Sequence, residues 1–165
     1  MGASIDTWAG PTPNQLRFAL SVEDRLVIQE MIAEYSYTYD TNDANGFAQL
    51  FVEDGVFEVF VPGKTTAVFA LQSRAAIDEW AKQRLEGRHG AVISRHHQTG
   101  ILFEELTPDA ARTRTMVLVT HQLPDEASPR PTVTGSYQDI WRRTDAGWRI
   151  VRRSAHVDRE VDLTR

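Results

Sequence analysis

The sequence predicts a single α+β domain in which three N-terminal helices pack on a mainly antiparallel sheet. Apolar residues in the first half recur at the spacing of amphipathic helices. The second half contains four long runs of strand-type residues separated by turn signals. The total of 165 residues is the length of one ordinary domain with its own core. Helices followed by consecutive strands are the element order of an α+β fold.

The N-terminal region predicts an arm followed by a long helix. Glycine and proline interrupt residues 1–20, and we expect this arm to precede a domain over residues 21–160 and a short tail over residues 161–165. Ser21 is suited to cap the first helix, which is expected to end near Asp40. Its apolar stripe comprises Val27, Ile28, Met31, Ile32, Tyr35 and Tyr39.

Two shorter helices and one strand are expected next. Residues Ala44–Phe51 predict a short helix, and Asp54-Gly55 predicts a turn before a strand over Val56–Val61. Ser73 then caps a third helix. The apolar side of that helix comprises Ala76, Ile77, Trp80, Ala81 and Leu85.

The remaining strands are predicted to form a strongly curved sheet that encloses a pocket. They are Val92–Leu106, Ala111–Leu123, Thr132–Thr144 and Trp148–Val157. Long strands twist, so a sheet of this length curls around whatever packs on it. A curled sheet covered by helices leaves a hollow, which is where ligands commonly bind.

Composition argues against several classes of partner. The formal net charge of −5 disfavours binding to nucleic acid. The basic residues clustered in Arg149–Arg159 alternate with apolar ones, as on the wet face of a sheet. The chain contains no cysteine. It also has neither a signal-peptide pattern nor the roughly 20 apolar residues of a membrane span, so we expect a cytoplasmic protein without a membrane partner.

Side-chain alternation along the predicted strands indicates a group of catalytic candidates. His97 shares a strand face with Ile101, and His121 shares one with Val119, so both histidines fall on mainly apolar faces. Asp40 at the helix end is expected to orient His97 as a general base. A single bulge would instead turn His96 toward this face. The expected catalytic residues are Asp40, His97, His121 and Tyr39.

Simpler interpretations of these residues stay open. Asp40 could be an ordinary turn residue at a helix end, and His121 could be a core histidine bonded to backbone. The short ligand spacings of zinc sites are missing, as are a phosphate-binding glycine loop, a nucleophile elbow and a dinucleotide fingerprint. We therefore expect no metal and no cofactor.

Three groups of residues resemble the SnoaL-like domains of the nuclear transport factor 2 (NTF2-like) superfamily. The first group runs from Glu23-Asp24-Arg25-Leu26 through Tyr39-Asp40-Thr41-Asn42-Asp43 to Phe47-Ala48-Gln49-Leu50-Phe51 and Asp54-Gly55, the second is Arg95-His96-His97-Gln98-Thr99, and the third runs from Tyr137-Gln138-Asp139-Ile140-Trp141 to Gly147-Trp148-Arg149-Ile150. Together they cover about residues 20–160. The resemblance implies an α+β cone, and this superfamily includes dehydratases, isomerases, cyclases, hydrolases and binding subunits.

Within the superfamily the pattern is similar to that of scytalone dehydratase. The matching residues are Tyr39-Asp40, His97 and His121, whose counterparts handle a proton in that enzyme. Phe60 stands where one of its water-holding tyrosines is found, and Tyr137 stands where it has an asparagine. Tyr35 and Asp40 also match the five-residue spacing of a bile-acid dehydratase.

The resemblance implies a cofactor-independent lyase that eliminates water from a small aromatic, polyketide or terpenoid hydroxy-carbonyl compound. The alternatives are a polyketide cyclase, an isomerase, a retro-aldol lyase, a noncatalytic ligand-binding protein, or a chain like the small subunit of a dioxygenase. We expect a homodimer or homotrimer that associates through the outer sheet face, with the Arg and Trp residues of the last two strands at the interface. The expected substrate-binding residues are Tyr35, Phe60, Trp80, Ile101, Val119 and Tyr137.

Overall fold

The computed structural model describes residues 22–86 and 91–159. The expected arm over residues 1–20, the Ser21 cap and the tail over residues 161–165 lie outside the described residues. The helices are α1 (Val22–Asp40), α2 (Ala44–Gln49) and α3 (Arg74–Glu86), and the strands are β1 (Phe51–Phe60), β2 (Phe69–Gln72), β3 (Ile93–Leu106), β4 (Ala110–Gln122), β5 (Arg130–Thr144) and β6 (Gly147–Val157).

The strands form one open, mixed sheet in the order β2-β1-β6-β5-β4-β3. The four long strands β3 to β6 are consecutive antiparallel neighbours, as predicted. β1 pairs with β2 in antiparallel fashion and with the last strand, β6, in parallel fashion. The predicted α+β class with three helices before the long strands is confirmed.

The helices cover one face of this sheet, here called the inner face. Strand β4 shows the alternation most clearly, because Thr113, Thr115 and Val117 are buried on the inner face. Met116 and Leu118 point to the other, outer face and are exposed. The core therefore lies between the inner face and the three helices.

The predicted helix stripes are largely confirmed. In α1 the residues Ile28, Met31, Ile32, Tyr35 and Tyr39 are buried, whereas Val27 is exposed. In α3 the side chains of Ile77, Ala81 and Leu85 are buried. The hydroxyl of Ser73 accepts a hydrogen bond of 3.1 Å from the backbone N–H of Ala76, as expected of a helix cap.

The turn predicted at Asp54-Gly55 is wrong. Both residues lie inside β1, and the pairing of β1 with β6 shifts register between Phe51 and Val56. A Cβ at Gly55 would lie only 2.8 Å from the carbonyl oxygen of Val52, so the irregular backbone requires glycine there. The four-residue edge strand β2 was not predicted because it is too short to show a clear alternation.

Two predictions for the last strands are also wrong. Trp141 and Trp148 are buried in the core, so they do not lie on the outer face as expected for interface residues. Their indole N–H groups donate inward, to the hydroxyl of Thr113 at 2.9 Å and to the carboxylate of Asp24 at 3.0 Å. Arg153, expected on a wet face, is fully buried. No helix in the described part of the chain is long and apolar enough to span a membrane.

Candidate active site

The site is built around the end of helix α1. The helix closes with two backbone hydrogen bonds, from Asn42 to the carbonyl of Tyr39 at 3.2 Å and from Asp43 to the carbonyl of Thr38 at 2.8 Å. Asn42 adopts a left-handed conformation, with φ of 63°. This is a Schellman arrangement, which makes Asp40 the last helical residue.

Asp40 is poorly placed from the viewpoint of the helix alone. Carboxylates are disfavoured at the C-terminal end of a helix, where the dipole is negative. Hydrogen bonds from a residue of β3 offset this unfavourable interaction with the helix dipole. The carboxylate of Asp40 accepts two hydrogen bonds from His96, one from the backbone N–H at 2.7 Å and one from Nδ1 at 2.7 Å. The Asp40 and His96 side chains are only 7% and 9% exposed.

The hydrogen bond between the His96 ring and Asp40 determines which imidazole nitrogen carries the proton. An ionised carboxylate only accepts hydrogen bonds, so Nδ1 of His96 is the protonated nitrogen. In the neutral ring Nε2 then keeps a free lone pair. The pair can therefore take up a proton at Nε2 while Asp40 stabilises the positive charge that forms on the ring.

The predicted pairing of Asp40 with His97 is wrong. His97 lies on the outer face and is exposed, with its Nε2 3.3 Å from the hydroxyl of Thr120. The cause is a bulge in β3, where the register with β4 shifts between Thr99 and Leu102. Gly100 adopts φ of 61° there, and the extra residue reverses the alternation, so His96 and Phe103 both face inward although their numbers differ in parity.

Aromatic rings surround His96. Tyr39 contacts it edge-on with 4.8 Å between ring centroids, and Tyr35 lies 6.3 Å away. Tyr137 on β5 lies 5.7 Å from Tyr35. The ring centroid of Trp80 on α3 lies 6.2 Å from that of Tyr39. The structure thus brings together Asp40, Tyr39, Tyr35, Trp80 and Tyr137, as the sequence predicts for the site.

A buried ion pair lies beneath the two tyrosines Tyr35 and Tyr137. Arg153 on β6 donates two hydrogen bonds of 2.8 Å to the carboxylate of Asp139 on β5. Both side chains are 0% exposed. The Arg153 guanidinium carbon lies 3.9 Å from the ring centroid of Tyr35 and 4.4 Å from that of Tyr137.

Burial keeps the two phenols protonated. It raises the pKa of Tyr35 to about 12, although the charge of Arg153 opposes the rise. Burial likewise raises the pKa of Tyr137 well above its ordinary value. Burial alone would lower the pKa of Arg153, but the charge of Asp139 outweighs it and raises that pKa overall. At neutral pH both phenols are therefore neutral, and they hydrogen-bond to each other beside a fixed cation.

The other predicted residues divide between the two faces. Val119 is buried opposite His96, and Ile101 packs against the core after the bulge. His121 is half-buried near the end of β4 and pairs in register with Ser94. His121 is the diagonal neighbour of His96 across the strand pair, a relation that places Cα atoms roughly 7–8 Å apart.

Phe60 lies on the outer face. Its ring stacks on that of His156 with 4.7 Å between centroids, on the side of β1 and β6 where Glu58 binds Arg152.

The alternation of β1 explains the misplacement of Phe60. Phe57 and Val59 are buried on the inner face, so the residue after them faces outward. Phe60 therefore does not join the site.

Sequence reasoning missed Arg153 and left His96 unresolved. Side-chain alternation along β6 did not predict the burial of Arg153, because a bulge makes Ile150 and Arg152 pair with consecutive residues of β5. The available signal was Asp139, which shares a strand face with Tyr137 and requires a buried partner. Among the described residues, no group of three or more carboxylate or imidazole side chains is arranged to hold a metal ion.

The sequence matches the family model of the SnoaL-like domain over residues 20–154. The chain belongs to the SnoaL-like family. Among proteins of curated function, none matches this family member significantly.

Solved structures agree with this assignment. A variant of Rv3472, a protein of unknown function from Mycobacterium tuberculosis, is 31% identical with a TM-score of 0.69 over 93% of this chain and 80% of that chain. An NTF2-like protein with a cystatin-like fold from Novosphingobium aromaticivorans is 26% identical, with a TM-score of 0.70 over 90% and 92% of the two chains. A protein from the same organism, provisionally named a scytalone dehydratase, is 25% identical, with a TM-score of 0.69 over 90% and 98%. The expected NTF2-like fold is confirmed.

Proposed function

We propose that this SnoaL-like protein is a cofactor-independent lyase of the dehydratase type. Its substrate would be a small aromatic, polyketide or terpenoid compound that carries a hydroxyl group two carbons from a carbonyl. The observation that supports this most is the Asp40–His96 pair, buried at the end of α1 among aromatic rings. The similarity to a protein provisionally named a scytalone dehydratase points in the same direction.

The proposed reaction begins with proton transfer. Nε2 of His96 takes the proton from the carbon next to the carbonyl, and Asp40 stabilises the resulting imidazolium. The electrons of the broken C–H bond form an enolate, whose negative charge lies on the carbonyl oxygen. When the enolate collapses, the carbonyl re-forms, a carbon–carbon double bond forms next to it, and the C–O bond to the hydroxyl breaks. The departing oxygen takes a proton, from His121 or from the His96 imidazolium, and leaves as water. Positioned acid–base groups of this kind contribute about 10²–10⁴-fold each.

The phenols of Tyr35 and Tyr137 would stabilise the negative charge that gathers on the carbonyl oxygen. Both are buried and stay protonated at neutral pH, so they can act as donors rather than as bases. Fixed donors in a dry site stabilise developing charge more than water does, because they need no reorganisation. The two phenols would thus supply the oxyanion contact of the proposed reaction.

The same groups would serve isomerisation or ring closure of a polyketide, since each begins with proton transfer from the carbon beside a carbonyl. They would also serve retro-aldol cleavage, in which the base takes the proton of the hydroxyl and the breaking C–C bond releases an enolate. A noncatalytic ligand-binding protein or dioxygenase-type subunit is the other alternative. In that case the two hydrogen bonds between Asp40 and His96 would only fasten α1 to β3. An enzyme should lose turnover when Asp40 or His96 is substituted, whereas a noncatalytic protein should bind a ligand without turning it over.

Two neighbouring histidines provide a matched test. We would incubate the protein with aromatic and polyketide-like hydroxy-carbonyl compounds and follow the absorbance of the conjugated product. Asp40→Asn and His96→Gln are expected to lower turnover at least 100-fold, whereas His97→Gln, on the outer face, should change it less than twofold. Equal losses for His96→Gln and His97→Gln would contradict the assignment. Ligand binding without turnover of any compound would favour the noncatalytic class.

A further inference from the structure

Packing of the core alone does not explain the buried pair of Arg153 and Asp139. A buried ion pair carries a desolvation cost, and apolar residues of similar volume often stabilise a fold as well or better. Here the pair is fully buried, and Nη1 of Arg153 has no hydrogen-bond partner among the described residues. The guanidinium instead lies against aromatic rings, where a cation is attracted to the electron-rich face.

The Arg153–Asp139 pair lies where three separate elements meet. Tyr35 comes from α1, Tyr137 from β5 and Arg153 from β6, so no single element fixes the phenols. Asp139 holds the guanidinium in one plane through its two parallel hydrogen bonds. The two rings then contact the same guanidinium and lie 5.7 Å from each other. Tyr35 in turn lies 6.3 Å from His96.

We propose that Arg153, locked in place by Asp139, is a positioning residue that holds the phenols of Tyr35 and Tyr137 beside His96, and that the site therefore selects ligands whose oxygen acquires negative charge. This inference rests on the proposed function. It narrows the substrate class to compounds that pass through an enolate or phenolate. Arg153 acts through the two tyrosines and does not contact the ligand.

The charge of Arg153 gives the arrangement a property that apolar packing lacks. A cation close to a phenol makes the phenol a better hydrogen-bond donor, and the charge of Arg153 works against the rise in pKa that burial imposes on Tyr35 and Tyr137. A Met at position 153 with a Leu at position 139 would fill similar space without this field. The double variant Arg153→Met/Asp139→Leu therefore separates positioning by charge from simple packing, and it leaves no unpaired buried charge.

The experiment uses the full chain labelled with 3-fluorotyrosine and followed by ¹⁹F NMR. Fluorination makes the phenol more acidic, which brings its titration into the range where the protein stays folded. In the double variant we expect the Tyr35 signal to titrate at higher pH, because the lowering effect of Arg153 is larger than the opposing effect of Asp139, and we expect the Tyr137 signal to shift and broaden. Tyr37, which is 73% exposed, is the internal control and should not change.

Two results would overturn the proposal. One is a folded double variant in which the Tyr35 titration and both ring signals match those of the wild type. The other concerns Arg153→Lys, which keeps a charge opposite Asp139 but lacks the planar group that contacts both rings. Unmoved Tyr35 and Tyr137 signals in that folded variant would show that the stack does not position them. This second variant also decides the matter if the double variant does not fold.

The readout is independent of turnover. If His96→Gln leaves turnover unchanged while the tyrosine signals move as expected, the dehydratase proposal fails and the positioning role stands. With any compound that is turned over, the double variant should lower kcat at least tenfold and leave KM within twofold. A change in KM alone would contradict a role in stabilising developing charge.

Discussion

Replacing Gly100 with alanine tests the bulge that turns His96 toward Asp40. Gly100 has φ of 61°, a left-handed conformation that costs other residues about 1–2 kcal/mol. A Cβ there would also overlap the methyl group of Met116, but Met116 lies on the outer face and is 59% exposed, so it can rotate away. We expect Gly100→Ala to lower the free energy of unfolding by roughly 1–2 kcal/mol, almost entirely through the backbone.

Urea denaturation of four proteins measures this cost: the wild type, Gly100→Ala, Met116→Ala and the double variant. The loss should persist in the Met116→Ala background, because removing the side chain does not relieve the backbone. A loss below about 0.5 kcal/mol, or one that disappears without the Met116 side chain, would refute the reasoning. The His96 Nδ1 proton signal in NMR should also weaken in Gly100→Ala, since the bulge places this ring against Asp40.

Three other outcomes are expected. Because the pKa of Tyr35 rises from 10.0 to about 12 on burial, urea melts should show stability lost as pH rises from about 10 to 12, by roughly 3 kcal/mol. Tyr35→Phe should flatten that fall. Burial raises the pKa of Asp24, but hydrogen bonds from Trp148 and Arg143 outweigh it and lower the pKa overall. Asp24→Asn should therefore cost about 1 kcal/mol at pH 7 and reduce the loss of stability that sets in as pH falls below about 4. If the protein forms the expected homodimer or homotrimer through the outer face, Met116→Glu should shift its sedimentation to that of a monomer, and an unchanged oligomer would exclude this face.

Periodicity was sufficient for most of the fold. The apolar stripe of α1, the Ser73 cap of α3 and the order of the four long strands all follow from local spacing and turn chemistry. The parallel pairing of β1 with β6 could not be predicted this way. Local sequence patterns in either strand do not indicate a partner so distant along the chain, because this pairing is a long-range contact.

The sequence predicted part of the candidate cluster, but it placed His97 and Phe60 on the wrong face of the sheet. Asp40 and Tyr39 lie at the end of α1 as expected, and Tyr137 faces inward because the bulge between β5 and β6 comes only after it, at Ile140 and Trp141. His96 and His97 are adjacent, so a single bulge exchanges their faces, and Gly100 was the only sign of it in the sequence. Arg153 was missed for the same physical reason, since the bulge in β6 changed which arginine faces the core.

The parallel pairing of β1 and β6 has a consequence for biosynthesis. Glu58 on β1 binds Arg152 on β6, a residue 94 positions later in the chain. A ribosome adds about 5–20 residues per second, so β1 waits roughly 5–20 s for this partner. During that interval one edge of β1 carries unpaired backbone groups that can bind another nascent chain. Synthesis of β6 therefore sets the time at which the edge of β1 is protected from aggregation, and truncations before β6 should accumulate in inclusion bodies.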